Sequence, residues 1–187
     1  MNMLLGFVPF AVFAVLEHFT GLVLALALAA FASLVIIARD LLRRQSPKLL
    51  EIGSALIFGG LGLYAWWARP AWSLFEVRLY VDACLLLIVL ASVAIGRPFT
   101  QAYARERTAP EVWEQPSFRH GTRAIALAWA AAFAVLVLAD ACMVFVPQLP
   151  LKVDILVSLA ALYAAARYTM KRTARSAASQ ARMPQGE

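Results

Sequence analysis

Long apolar runs separated by short charged stretches make up most of this chain. Five of them, at 22–42, 49–68, 75–95, 124–146 and 153–170, have the length a helix needs to cross about 30 Å of hydrocarbon. A segment in lipid must satisfy its own backbone, so the pattern predicts helices and not strands. A sixth run, 3–17, is shorter and carries Pro9. Its helix would cover about 22 Å, which spans only by local bilayer thinning and otherwise lies re-entrant or interfacial. The expected fold class is therefore all-α. It is a polytopic transmembrane helical bundle of six helices, five if the first segment does not span, with residues 1–170 forming one transmembrane domain and no soluble domain.

The longest connection, 97–122, predicts a short interfacial helix near 98–107. Pro98 opens it, since the first turn has no use for its missing N–H. Phe99 and Tyr103 share the face that rests on the inner leaflet or on the floor of the bundle. Arg97, Pro98, Phe99 and Tyr103 are thus the candidate residues of this linker. Pro110 and Pro116 are expected to break the chain before the fifth spanning helix. The tail, 171–187, is basic, rich in Ser, Ala and Gln and without a period. It is expected to be disordered, with some attraction to anionic lipid. Trp66, Trp67 and Trp72 cluster where indoles anchor at a membrane surface. Ala55 and Gly59, beside Gly60 and Gly62, are small enough to let helices approach closely, or to hinge.

Composition reinforces the pattern, with 63% hydrophobic and 15% charged residues, far from the balance of a soluble domain. A net charge of +6 would suggest nucleic acid in a soluble protein. Here its distribution decides. Fourteen of the seventeen Lys and Arg residues lie in 39–48, 97–123 and 167–182, all on one side if six segments span. Only Arg69, Arg78 and Lys152 fall on the other. The positive-inside rule then places both termini and the linker on the cytoplasmic side of a bacterial-type membrane. The partner implied is the lipid bilayer, not nucleic acid, and self-association stays open. The N-terminus lacks the basic region and cleavage site of a signal peptide and is expected to be retained. Cys84 and Cys142 lie within apolar runs, as small packing residues do.

Ionisable residues inside apolar segments are the default place to look for chemistry. Asp140 is the most interior. Asp82 lies at similar depth, and Arg78, four residues before it, can pair with it along one helix face. Glu17 and His18 lie at the same end. Arg78, Asp82 and Asp140 form the candidate intramembrane polar cluster, either a structural clasp between helices or a transport site for protons or ions. Glu106, Glu111 and Glu114 are expected to pair with Arg105, Arg107 and Arg119. His18 and His120 fall at opposite ends, no cofactor or metal spacing is present, and no catalytic constellation converges. The expectation is a protein that is not an enzyme.

Several stretches together resemble the intracellular septation protein A family. They are the opening GFVPFAVFAV, the second helix ending in ARDLLRR, FGGLGLY (Phe58–Tyr64), Gly96-Arg97-Pro98-Phe99 followed by Gln101, and Ala128-Trp129-Ala130. The order agrees over nearly the whole chain. It departs at Asp140, where the family usually has asparagine, and by extra residues between Pro110 and Thr122. The resemblance implies a multi-pass inner-membrane protein supporting septum formation and envelope integrity through contacts with membrane proteins of division or envelope synthesis, with no cofactor.

Overall fold

Pro9 and Gly21 delimit the first helix. The chain forms α1 (Val8–Thr20), α2 (Leu22–Leu42), α3 (Leu49–Ala68), α4 (Leu74–Ala94), α5 (Phe99–Arg105), α6 (Pro116–Phe145) and α7 (Leu151–Ala181), with a 3-10 turn at Pro110–Val112. The computed structural model describes residues 5–106, 108–146 and 148–181, and no strand occurs among them. Five helices are long and apolar enough to cross a membrane: α2, α3, α4, α6 and Leu151–Arg175 of α7. The protein is a multi-pass membrane protein.

The sixth expected segment, 3–17, is instead the 13-residue α1, shifted toward the C-terminus; Met3 and Leu4 lie outside the described residues. Pro9 sits in the first turn of α1, where it costs no hydrogen bond. Gly21, at φ +80°, takes a conformation that side chains disfavour and turns the chain directly into α2. At about 20 Å, α1 falls short of a bilayer's hydrocarbon.

Two further expectations change. Pro116 does not precede a break: it occupies the first turn of α6, so this helix begins eight residues before the expected 124. The linker is correspondingly shorter than 97–122. The basic tail continues α7 as helix through Ala181, and 182–187 lie outside the described residues. Ala, Arg, Lys and Gln are good helix formers, and extending an existing helix avoids the cost of nucleation.

The helices pack as two groups that follow the chain. In the first, α1 lies on α2 and α2 on α3; in the second, α4 and α7 flank α6, with α5 beneath it. The α3–α4 seam is thinner, and an apolar groove lined by Gly60, Leu61, Cys84 and Leu87 opens along it. Glycine does allow close approach, at positions other than Ala55 and Gly59. A Cβ on Gly53 would meet Ile88 Cδ1 at 2.7 Å and one on Gly62 would meet Leu26 at 3.4 Å, whereas at Gly59 and Gly60 nothing lies within 4 Å.

Aromatic rings fill the interior between the groups. Phe7 stacks on Trp129 at 4.5 Å, Phe10 and Phe13 lie 5.0 and 5.5 Å from Phe58, and Phe133 closes on Phe7 and Trp129. Phe10 packs against both cores. Where α3 ends and α4 begins, Trp72 lies between Tyr64 and Tyr80, while Trp66 and Trp67 are exposed, as indoles at a membrane surface are.

Candidate functional site

Charged side chains are buried at both ends of the bundle. At the end where α4 and α7 begin, Arg78 reaches from α4 toward α6 and α7. Its guanidinium lies 3.1 Å from an Asp154 oxygen and 3.6 Å from an Asp140 oxygen. The first distance is that of a close ion pair; the second is too long for a hydrogen bond. Asp140 is fully buried and Asp154 nearly so, yet the oxygens of both lack a hydrogen bond of good geometry. Ser158 Oγ, one turn along α7 from Asp154, is buried without a partner as well.

The i,i+4 pairing of Arg78 with Asp82 is not what the fold makes of this face. Arg78 turns to the neighbouring helices, and the half-buried Asp82 carboxyl faces that of Asp140. Glu17, from the last turns of α1, adds a buried carboxylate that feels the Arg78 charge and lies 3.6 Å from His18. Four carboxyl groups from four helices therefore surround one guanidinium, more than its single charge can balance in a medium that resists ionised groups. Reading the sequence found Arg78, Asp82 and Asp140, and missed Asp154. A carboxylate in the first turn of a helix is ordinary on electrostatic grounds, so nothing in its position sets it apart.

The opposite end holds a network that sequence reasoning missed entirely. Lys48, the N-cap residue of α3, is buried and central to it. Its ammonium lies 2.8 Å from Asp40 of α2, 2.9 Å from Glu106 just after α5, and 3.6 Å from Glu51, and it sits 5.3 Å from the centre of the Tyr103 ring. Arg39 donates to the other Asp40 oxygen at 2.5 and 3.0 Å, and Glu51 accepts the Lys48 backbone N–H at 3.0 Å. Burial disfavours the lysine's charge, but hydrogen bonds to Asp40 and Glu106 outweigh it and hold its pKa above the ordinary lysine value. Burial first, then the nearby Glu51, Glu106 and Asp40, push the Tyr103 phenol upward too.

Of the linker residues, Phe99 and Tyr103 are buried, with their rings edge to face against the floor of the second core. Pro98 is the N-cap of α5, and Arg97 is exposed. Two side-chain hydrogen bonds pin α5: the Phe99 N–H donates to Ser92 Oγ at 3.2 Å, and Thr100 Oγ1 donates to the Thr122 carbonyl at 2.7 Å. The acidic set pairs differently from expectation. Glu106 is taken by Lys48, Glu114 pairs with Arg119, and Arg105 stacks on Trp113; Arg107 lies outside the described residues. Among the described residues no group of three His, Cys, Asp or Glu side chains is arranged to hold a metal.

The fold and its two charged ends define a class, a helical membrane bundle. No family model, curated protein or solved structure matches this chain.

Proposed function

We propose that this chain is a non-enzymatic, multi-pass protein of a bacterial inner membrane that acts through contacts with other membrane proteins. In the direction its resemblance implies, those contacts support septum formation and the cell envelope, in the manner of septation protein A. The basic loops, the linker and, with α1 crossing by local bilayer thinning, both termini face the cytoplasm in this reading, so the Lys48 network is internal and the Arg78 cluster external. The observation that carries it is the aromatic interior. Phe7, Phe10, Phe13, Phe58, Trp129 and Phe133 occupy the space between the charged ends, where a solute path would need polar groups or water.

A second reading, a small transporter or channel, draws on one specific observation: the surplus of carboxylates around Arg78 suits a proton or cation. Substitution separates the two. Asp140→Asn keeps the shape and part of the polarity, and Arg78 retains Asp154. The contact reading therefore expects nearly unchanged thermal stability and full rescue of the septum or envelope phenotype of a deletion strain. Arg78→Met takes away the guanidinium that the four carboxyl groups surround and should cost about 3–5 kcal/mol of stability, the usual penalty for halving a buried pair. A stable Asp140→Asn protein that fails to rescue would favour transport.

A further inference from the structure

The end of the bundle that carries the Lys48 network also holds a small cavity. About 210 Å³ in volume, it has Gly96, Gln101, Arg119, His120, Thr122 and Arg123 in its walls. Its walls are set by hydrogen bonds already described: Ser92 to Phe99 ties α4 to α5, and Thr100 to Thr122 ties α5 to α6. Gly96, at φ +77°, turns the chain at the rim. The cavity is thus preformed, where three elements meet.

Its charge is one-sided. Arg119 is matched by Glu114. Arg123 is exposed and has no ion pair or hydrogen bond among the described residues, and the Gln101 amide is also unengaged. His120 Nδ1 donates to the Pro116 carbonyl at 2.7 Å, so its other nitrogen donates only when the ring is protonated. The permanent charge facing the cavity is therefore the free fork of Arg123, beside Arg119. Guanidinium forks match phosphate oxygens two at a time.

What lies beside Arg123 on its own helix indicates where such a phosphate comes from. At steps of three or four residues α6 presents Leu127, Ala131, Val135 and Leu138, all exposed. In a membrane protein that stripe faces acyl chains, and Arg123 stands at its head. We infer that the Arg123–Gln101 cavity binds the phosphate of an anionic membrane lipid, whose chains lie along the exposed stripe of α6. Basic pockets at this level of a bundle are suited to such headgroups. The inference depends on the membrane reading alone and stands whether the bundle works by contact or by transport.

The test uses the full-length protein in a neutral detergent micelle, with melting temperature followed as phosphatidylglycerol, phosphatidylcholine or inorganic phosphate is added. Phosphatidylglycerol should raise the melting temperature, and the other two should not. Arg123→Gln should need about tenfold more phosphatidylglycerol for the same rise, the weight of one charge-assisted contact. Arg43→Gln, an equal loss of charge at the same end but outside the cavity, should respond like the wild type. If Arg123→Gln lowers the melting temperature without lipid, Gln101→Leu on the facing wall replaces it, with weakening again expected. The inference is overturned by no response to phosphatidylglycerol, by equal responses of the Arg123 and Arg43 variants, or by inorganic phosphate acting as well as the lipid, which would mark a site for soluble anions.

Discussion

Lys48 is the side chain whose loss should be felt most at the basic end. Its ammonium lies within reach of both Glu51 and Glu106, and it shares Asp40 with Arg39. Lys48→Met would remove the buried ammonium that Asp40, Glu51 and Glu106 share, at a cost of about 3–5 kcal/mol. Thermal unfolding in detergent reads that loss directly, and a drop below about 1 kcal/mol, the range of surface pairs, would show the network to be peripheral. The pH dependence has a definite sign. A lysine whose pKa is raised on folding contributes its full stability below the ordinary value of 10.5 and loses it as the pH climbs through the folded value. The difference between wild type and Lys48→Met should therefore persist through neutral pH and shrink only in strong alkali. None of this could be read along the chain, because Lys48 and Glu106 belong to separate connections that meet only after α2, α3 and α5 have packed. Arg78 and Asp140 were legible for the opposite reason. A charge inside an apolar run is conspicuous wherever its partner lies.

Between elements, the approach of α3 to its neighbours rests on Gly53 and Gly62, not on the more conspicuous Gly59-Gly60 pair. A side chain at Gly53 would push on Ile88, so Gly53→Val should destabilise the bundle by about 1–3 kcal/mol, as overpacking does. Gly59→Ala meets nothing and should stabilise α3 by about 0.5–1 kcal/mol through helix propensity. Melting temperatures of the two variants, measured side by side, check the assignment; the reverse order would mean that Gly59 carries the contact. Small residues announce that helices can approach, but which of them touch depends on how each helix is rotated. That rotation comes from the partner faces. Helix boundaries were legible within a residue or so for α2, α3 and α4, where apolar runs end at charges or caps such as Ser73 with Glu76. They were missed at Pro116 and in the tail, where prolines and polar helix formers extend helices that apolar patterning alone would stop.

Across the whole molecule, two charged ends enclose an interior of interlocking rings. The ring-packed middle is what would separate a bundle that works by its surfaces from one that moves a solute. It follows from Phe10, which joins both cores, and from Trp129, whose indole N–H is taken by Thr169 at 3.1 Å and so is not offered to water. The sequence already hinted at it, since the apolar runs bring Phe and Trp rather than a polar trail to mid-depth. Only the fold shows that these rings meet. The most direct measurement of the account is substituted-cysteine labelling with a membrane-impermeant maleimide, applied from each side of the membrane in a background lacking Cys84 and Cys142. Cysteine at Phe133 or Ala126, both buried, should stay unlabelled from either side, while cysteine at the exposed Arg44 labels from the cytoplasmic side alone. Labelling of position 133 or 126 would reveal a water path through the bundle and contradict the closed interior on which the contact reading stands.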